Sequence, residues 1–578
     1  MTKRWVIASA DSDAVSALST ALGIGTPAAK VLVSRGLADP PKARQYLAPS
    51  LDELPDPFLM RDMPRALDRL RRAICERQRI LIYGDYDVDG TTSVVLLTKA
   101  IQLAGGSAAY YVPNRLKDGY GMRPEVVERA AADGVGLIVS VDTGIRAAGV
   151  VARANELGID VIITDHHLPE EDLPPAFAVI NPNRPDCAYP SKNLCGAGVA
   201  FKLAHALIGS LKWPLEKTRR TIESFLKLVA IATVADVVPL TGENRVIVKH
   251  GLAGLSEVRN AGLRALLDLA GFRASPPTAR QVAFQLAPRL NAAGRMDTAQ
   301  TVIELFLTGD PQRARTLAQQ LHDQNVERQQ VEAEIREICE QLTVDDSEFA
   351  LIYYAENWHR GVLGIVASRL AERLHRPVFV LGRNPEDGLV QGSGRSIPAF
   401  HLLEALESMP DLFVRFGGHQ HAAGVTLEAS RVEEFRRRFN QHAAARLRPE
   451  DLQPELRIDG VLELREITPR NAAEIFALAP FGHGNPPPLL AAMNVEVAGP
   501  PALWNGKHLR LALRQNGRTL LLKAWNFAER AAELAPGSRV DVAFSLEEDP
   551  YGLVQGLPGW SLVLRDVRAA YKTMQAIA

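Results

Sequence analysis

The sequence predicts a multidomain α/β protein: a parallel-sheet domain, a long connecting helix, a smaller α/β domain and a C-terminal OB-type β-barrel. Three observations lead to this prediction. Short apolar runs alternate with helical segments from Arg79 onward, a long polar helical pattern ends near residue 345, and apolar and polar residues alternate at period two after Arg448. With 578 residues the chain is too long for one hydrophobic core, so three or four domains are expected.

The first half of the chain contains the predicted parallel sheet. Residues 1–75 have the pattern of small helices, with the proline-rich stretch PSLDELPDP as a linker, and the first α/β domain is expected over residues 76–310. Its apolar runs are ILIYG, AAYYV, GLIVSV and DVIIT, with helical patterns between them. Such alternation indicates a parallel sheet covered on both faces, with its ligand site beyond the carboxyl ends of the strands.

The second half is predicted to hold three further elements. A helical stretch over roughly 190–345 ends in the connecting helix, residues 311–345. A smaller α/β domain, residues 346–448, opens with the strand FALIYYA. Over residues 455–570, runs such as MNVEVA, KHLRLALR, RTLLLKAW and RVDVAFSL alternate in polarity, and NFAERAAELA supplies one helix. Short alternating strands with one helix are typical of an OB-type barrel.

Composition limits the classes of protein that fit. The apolar content of 47% and charged content of 23% are those of a soluble globular protein. The net charge of −1 means that any nucleic-acid binding must use local basic patches. Four cysteines without a CxxC pair argue against a disulfide scaffold or a cysteine zinc site and fit a reducing cytoplasm. No signal peptide or membrane span is expected.

Three aspartates directly follow the first predicted strand. Asp85, Asp87 and Asp89 lie in GDYDVDG, and carboxylates this close repel one another unless a cation neutralises them. A calcium EF-hand is excluded, because its twelfth position is Leu96 and a strand precedes the loop. No GxxxxGK[ST] loop is present either. The structural alternative is a solvated acidic turn.

The other apolar runs also end in acidic residues or histidines. GLIVSV ends at Asp142, DVIIT is followed by Asp165, His166 and His167, and LVAIATVAD ends at Asp236. All four clusters are expected at one edge of one sheet. Carboxylates with imidazoles suit Mn²⁺ or Mg²⁺, and two such ions could catalyse a phosphoryl displacement. The sequence therefore predicts a two-cation site.

These motifs carry a family resemblance. GDYDVDG, VDTG, TDHH and VADVVP are similar to the four motifs of the DHH phosphoesterase superfamily, and the chain resembles its RecJ branch of single-strand-specific 5′→3′ DNA exonucleases. Further matching segments are PNRLKDGYG, NPNRPD, LCGAGVAFKL, APRLNAAGRM, the DHHA1-like GSGRS with FGGHQHAAG, and PFGHGNPPP.

The resemblance implies a set of metal ligands. Asp87 and Asp142 would hold one cation, and Asp89, Asp142, His166 and Asp236 the other, so that Asp142 bridges. Some superfamily members have a ligand histidine where this chain has Tyr83, so Asp85 is expected to fill that position or to take a catalytic role, unless water does. By analogy with the family, His167 would contact the scissile phosphate or protonate the leaving group.

Substrate contacts are expected outside the metal site. Guanidinium groups bind phosphate bidentately, and Arg115, Arg289 and Arg395 lie in family-like motifs, although a single arginine is more often a surface residue. Ser393 and the backbone of GSGRS could bind a 5′-phosphate. His419 is either a substrate contact or a structural histidine whose hydrogen bonds are satisfied within the protein.

The barrel region offers a second binding surface. Basic residues alternate there with aromatic ones, which suits single strands, although aromatic residues in a small barrel are otherwise core. These residues are Trp504, Lys507, His508, Arg510, Arg514, Arg518, Lys523 and Trp525.

The resemblance implies a metal-dependent 5′→3′ exonuclease that hydrolyses single-stranded DNA to 5′-mononucleotides in DNA repair and recombination. It also implies a monomer that works with a single-strand-binding protein and a RecQ-type helicase. Two alternatives remain open: a phosphodiesterase of nano-RNA or cyclic dinucleotides, and a non-catalytic single-strand-binding scaffold.

Overall fold

The computed structural model describes residues 3–570 except 116, 117, 120, 274, 343, 344, 346, 550, 551, 553 and 555–557. Three residues of the predicted loop PNRLKDGYG therefore lie outside the described residues. The chain forms two compact units, one of residues 51–452 with 482–484 and one of residues 1–50, 453–481 and 485–578. Within the described ranges, no helix has the length and apolarity that a membrane crossing needs.

The N-terminal residues pack with the C-terminal part of the chain. Their elements are β1 (Arg4–Ile7), α1 (Ser12–Leu22), α2 (Thr26–Ser34) and α3 (Pro40–Leu47). Asp11 caps α1 by accepting the Ala14 N–H at 2.8 Å. Leu18 and Leu32 are buried in one cluster with Leu490 of the barrel. The segment expected over residues 1–75 is therefore divided near residue 50, because its apolar side chains join two different cores.

A five-stranded parallel sheet forms the centre of the larger unit, in the order β3-β2-β4-β5-β6. Helices cover both of its faces, as expected for a parallel sheet. The elements of this part are α4 (Met63–Cys75), β2 (Arg79–Tyr83), α5 (Val88–Leu103), β3 (Ala108–Tyr111), α6 (Pro124–Ala132), β4 (Val135–Val141), α7 (Ala148–Glu156), β5 (Asp160–Thr164) and β6 (Ala178–Ile180).

A helical region follows the sheet. It comprises α8 (Gly196–Gly209), α9 (Leu215–Ala235), α10 (Gly242–Ala253), α11 (Ala261–Leu269), α12 (Ala279–Gln281), α13 (Ala287–Met296), α14 (Gln300–Leu307) and the connecting helix α15 (Pro311–Gln341). The apolar run LVAIATVAD lies in α9, and Asp236 is its C-cap. The expectation that Asp236 follows a strand of the sheet was therefore wrong: the run is apolar because the end of α9 is buried against other helices.

The smaller α/β domain has a mixed sheet in the order β10-β11-β9-β8-β7, in which only β7 and β8 are parallel. Phe379 packs edge-on against Phe435 and Phe439 in its core. The elements are β7 (Leu351–Ala355), α16 (Leu363–Leu374), β8 (Val378–Arg383), β9 (Val390–Arg395), α17 (Leu402–Glu407), β10 (Arg415–Gly418), β11 (Ala422–Leu427) and α18 (Val432–Ala444).

The C-terminal sheet confirms the OB prediction. Its order is β13-β14-β18-β19-β17-β16-β15, and an added pairing of β14 with β16 closes the ring, while β12 pairs with β1. The elements are β12 (Glu455–Ile458), β13 (Gly460–Val461), α19 (Pro469–Phe476), β14 (Leu489–Val497), β15 (Ala502–Trp504), β16 (His508–Gln515), β17 (Arg518–Ala524), β18 (Arg539–Glu548) and β19 (Trp560–Ala569). The predicted helix NFAERAAELA is a 3₁₀ helix, Ala528–Leu534.

Candidate metal centre

The turn between β2 and α5 positions the first three aspartates. Asp85 is buried in the loop, Asp87 is the N-cap of α5, and Asp89 lies in its first turn. An Oδ1 of Asp87 accepts the Gly90 N–H at 3.0 Å. A Cβ on Gly90 would lie 2.6 Å from the backbone oxygen of Asp85, so only glycine fits this close approach. The helix begins at Val88, and its N-terminus favours the carboxylates there.

Asp89 is held by the start of a second helix. Its two carboxylate oxygens accept the backbone N–H groups of Gly196 at 2.6 Å and Ala197 at 2.8 Å. A Cβ on Gly196 would lie 2.4 Å from Oδ1 of Asp142, so this glycine lets α8 approach both aspartates. The segment LCGAGVAF was part of the family resemblance, but no role was predicted for Gly196. The feature of the sequence that could have indicated its role is a small residue at the start of a helix.

Asp142, His166 and Asp236 meet beside Asp89. The Nε2 atom of His166 lies 3.3 Å from Oδ1 of Asp142, 3.8 Å from Oδ2 of Asp236 and 3.9 Å from Oδ2 of Asp89. Asp142 adopts a left-handed conformation, with φ of 60°, at the end of β4. The buried Oδ1 of Asp142 and Oδ2 of Asp236 accept no hydrogen bond from the described residues. Buried carboxylate oxygens that accept no hydrogen bond are suited to coordinating a cation.

The ligand atoms fall into overlapping groups, each within 4.8 Å. One group joins Asp85, Asp87 and Asp142, a second joins Asp89, His166 and Asp236, and a third joins Asp142 with His166 and His167. Asp142 thus belongs to two of the three groups. The predicted metal-site residues are therefore brought together, and Asp142 lies where one carboxylate could serve two cations.

The electrostatics of this cluster call for a counter-charge. Burial, reinforced by repulsion from neighbouring carboxylates, raises the pKa of Asp85, Asp87 and Asp142, and raises that of Asp236 to about 9. Burial lowers the pKa of His166, which favours the neutral imidazole that a metal requires. This mainly oxygen donor set fits hard divalent cations such as Mn²⁺ or Mg²⁺.

His167 is oriented by a residue to which the sequence analysis assigned no role. Its Nδ1 lies 2.7 Å from Oδ1 of Asp165, and Asp165 also accepts the Ile145 N–H at 3.0 Å. Burial lowers the pKa of His167, but the hydrogen bond and the negative charge of Asp165, together with the charges of Asp89 and Asp85, outweigh it, so that the pKa is raised overall. Asp165 therefore fixes the orientation of the His167 ring and favours its protonated form.

Two of the predicted phosphate-binding arginines converge. The guanidinium of Arg115 lies 5.1 Å from the ring centroid of Tyr86. Arg395 donates from Nη1 to Oγ of Ser393 at 3.1 Å. Burial, followed by repulsion from Arg115, lowers the pKa of Arg395. The start of α16 approaches closely, since a Cβ on Gly364 would lie 3.0 Å from Oγ of Ser393.

Arg295 lies with Arg115 and Arg395 but was not among the arginines predicted from the sequence to bind phosphate. Burial lowers its pKa to about 9, and repulsion from Arg115, Arg328 and Arg395 adds to this effect. Its Nη1 donates to the Gly361 carbonyl at 3.2 Å. The sequence showed Arg295 in APRLNAAGRM, but no local pattern distinguished it from Arg289 in the same motif.

Arg289 and His419 have other hydrogen-bond partners among the described residues. Arg289 is half-buried, donates to the Gln285 carbonyl in the turn of helix that precedes α13, and has a pKa that burial lowers. His419 is exposed in the turn between β10 and β11, where its N–H donates to the Ala422 carbonyl at 2.8 Å. In the described residues, neither is brought to Arg115 or Arg395 by a hydrogen bond.

A strained residue follows Asp236. Val237 has a φ of 61° and a side chain that is 63% exposed, at a helix C-terminus where glycine is usual. A β-branched residue in this conformation is an outlier that its surroundings must hold in place. The Leu240 N–H donates to the His483 carbonyl at 2.8 Å, and Nδ2 of Asn244 donates to the Pro239 carbonyl at 3.0 Å.

Comparison with known proteins fits this geometry. Residues 79–233 match the model of the DHH family N-terminal domain, residues 347–445 the DHHA1 domain, and residues 458–555 the RecJ OB domain. The single-stranded-DNA-specific exonuclease RecJ of Bacillus subtilis is 39% identical over 544 residues, which are 93% of this chain and 68% of that protein. The chain belongs to the RecJ family. RecJ of Escherichia coli is 42% identical over 74% of this chain and 76% of that protein.

Solved structures of family members have the same fold. RecJ from Thermus thermophilus in complex with Mn²⁺ superposes with a TM-score of 0.83 and 31% identity, over 98% of this chain and 79% of that one. The Mg²⁺ complex of the same protein gives a TM-score of 0.77 and 30% identity, over 98% and 78%. These likenesses confirm the predicted fold class and family.

Proposed function

We propose that this chain is a metal-dependent exonuclease that degrades single-stranded DNA from its 5′ end to 5′-mononucleotides. The observation that carries the proposal is the pair of ligand groups around Asp142, in a chain of the RecJ family. The sequence similarity to single-stranded-DNA-specific exonucleases over most of the chain supports the substrate. Roles in DNA repair and recombination follow from the family.

Two cations per site are part of the proposal. Mn²⁺ or Mg²⁺, when bound, would polarise the scissile phosphate, lower the pKa of an attacking water and stabilise the departing 3′ oxygen. Asp142 would bridge the pair, and the ligands of the two ions would be Asp87 for one and Asp89, His166 and Asp236 for the other. Asp85, grouped with Asp87 and Asp142, is proposed as a further ligand of the first ion, in the position that Tyr83 leaves unfilled.

His167 is proposed to serve the departing group. Asp165 accepts a hydrogen bond from Nδ1 of His167, so the opposite nitrogen can carry a proton toward the substrate. From there it could contact the scissile phosphate or protonate the 3′ oxygen as the bond breaks. Its grouping with Asp142 and His166 supports either role.

The 5′-terminal phosphate is proposed to lie among Arg115, Arg395 and Ser393, with Arg295 behind them. Mutual repulsion among buried guanidinium groups is relieved by an anion, which supports this assignment. An enzyme that must bind the terminal phosphate before it cleaves will remove nucleotides from the 5′ end of the strand. Arg289 and His419 are proposed to contact the strand beyond this cluster.

The barrel is proposed to hold the incoming strand. Trp504 and Trp525 lie 4.8 Å apart between ring centroids, and the guanidinium of Arg510 lies 5.0 Å from the Trp504 ring. Trp525 is 38% exposed, so this cluster offers a stacking surface with a cation beside it. A monomeric state, a cytoplasmic location and collaboration with a single-strand-binding protein and a RecQ-type helicase are proposed from the family and cysteine content.

A time course on end-labelled substrates tests the proposal. With Mn²⁺ or Mg²⁺, a 5′-phosphorylated single strand should release mononucleotides progressively from its 5′ end, while a blunt duplex and a chelated reaction should not react. Preferred turnover of the dinucleotide pApA would favour the dinucleotide phosphodiesterase instead. Binding without cleavage in any divalent cation would favour a non-catalytic scaffold.

A further inference from the structure

A concave groove lies beside β3, the edge strand of the parallel sheet. It has a volume of about 490 Å³ and is lined by the beginnings of β2 and β4, by β3 and by α6. The metal centre lies beyond the carboxyl ends of the same parallel strands, whereas the groove takes the beginnings of β2 and β4 and the whole length of the edge strand β3. None of the three ligand groups contributes a residue to it, and neither does the arginine cluster.

The groove combines an apolar floor with cationic walls. Leu81, Ala109 and Val126 belong to the floor, and Ala109 is exposed because α6 leaves the edge of the sheet uncovered. Arg77, Arg79 and Arg129 also line it, and no ion pair joins any of the three to a described acidic residue. Three cations with one lining carboxylate, Asp133, leave the groove positively charged.

The edge strand beside the groove has open hydrogen-bonding groups. The Tyr111 carbonyl accepts the Gly84 N–H at 2.9 Å, so the backbone groups of Tyr111 face β2. Because these groups alternate along a parallel strand, those of Ala108 and Tyr110 face outward. Among the described strands, only β2 pairs with β3. Such an edge can add a strand from another chain.

We propose that this groove docks an extended acidic peptide segment of a partner protein, which adds to the β3 edge. Its acidic side chains would pair with Arg77, Arg79 and Arg129, and its apolar side chains on the groove face would lie beside the exposed Ala109 of β3. Charge complementarity selects the acidic segment, and the outward groups of Ala108 and Tyr110 select a peptide over a nucleic acid. The groove contains none of the proposed metal ligands, so a peptide docked there does not occupy the cleavage site.

Fluorescence anisotropy of the full chain tests the proposal with a fluorescein-labelled hexapeptide of alternating glutamate and valine. The double variant Arg77→Gln/Arg129→Gln should weaken its binding at least tenfold, with cleavage of single-stranded DNA unchanged. The matched control is Arg415→Gln/Arg437→Gln, which removes two other exposed arginines and should bind as the wild type does. Equal weakening in both double variants would overturn the proposal.

Two further arms address the mode of binding and the class of ligand. Ala108→Pro removes an outward N–H at the first residue of an edge strand, where proline is tolerated, and should also weaken peptide binding at least tenfold. Unchanged binding would overturn strand addition. A labelled oligothymidine should bind Arg77→Gln/Arg129→Gln as tightly as it binds the wild type. Loss of oligothymidine binding instead would show that the groove is a path for nucleic acid.

Discussion

Oδ1 of Asp142 lies 3.3 Å from Nε2 of His166, at the ends of the neighbouring strands β4 and β5. That oxygen is buried and accepts no hydrogen bond from the described residues. A carboxylate held in this way is costly without a cation, because burial and neighbouring carboxylates both disfavour its charge. The pairing of β4 with β5 therefore places Asp142 and His166 together as candidate ligands of one cation.

Asp142→Ala should reduce cleavage of single-stranded DNA by roughly 10³-fold while strand binding survives, because the shared ligand is lost. Calorimetric titration with Mn²⁺ should show fewer bound ions. Asp323→Asn, an exposed carboxylate on the connecting helix, is the matched control and should behave as the wild type does. Full activity of Asp142→Ala in Mn²⁺ would remove the metal assignment.

Arg295→Gln should raise the KM for a 5′-phosphorylated strand toward that for a 5′-hydroxyl strand, since a buried cation of the proposed end site is lost. Arg289→Gln is the matched control in the same motif and should change the two values in parallel. Steady-state kinetics on the paired oligonucleotides measure both effects. A larger end-dependent change in Arg289→Gln would reverse the assignment.

The barrel is best tested with point variants. Removal of residues after about 450 would expose Leu18 and Leu32, which are buried with the barrel. Trp525→Ala, which removes a stacking ring, should raise the KM for a strand of about 50 nucleotides several-fold and leave that for a short oligomer unchanged. An equal KM on long strands for variant and wild type would contradict the proposed role.

Val237→Gly should leave the free energy of unfolding unchanged or raise it by about 1 kcal/mol, because relief of the left-handed strain offsets the entropy of glycine. Val238 packs against Cys195, Ala197 and Ala232, so Val238→Gly should lower that free energy by about 1–2 kcal/mol. Denaturant titrations of the two variants give the comparison. Marked destabilisation by Val237→Gly would show that the side chain itself holds the loop.

His205 should make stability fall in mild acid. Burial lowers its pKa from 6.5 to about 4, so below pH 6.5 the unfolded chain binds a proton that the folded chain does not. Above pH 6.5 His205 is neutral in both states and does not reduce the free energy of unfolding. At pH 4 its protonation in the unfolded chain lowers that free energy by about 3 kcal/mol. Unfolding measured with chelator from pH 7 to 4 should show a shallower decline for His205→Gln; parallel curves would contradict this origin.

Much of the site could be predicted because its residues follow local patterns. Asp85, Asp142 and His166 come after strands whose apolar runs are plain in the sequence, and parallel strands bring their carboxyl ends together. Asp236 was predicted as a site residue from the apolar segment before it, although that segment forms the end of a helix and not a strand. An apolar run of that length is compatible with either a buried strand or a buried helix.

The sequence alone determined the fold class, the family and the type of each ligand, because these depend on periodicity and on motifs within a few residues. Only the tertiary structure decided which distant groups meet: Gly196 with Asp89, Arg295 with Arg395, and residues 1–50 with the barrel. Their contacts join segments far apart in the chain. No local pattern specifies such a pairing, because it follows from how whole helices and sheets bury their apolar faces.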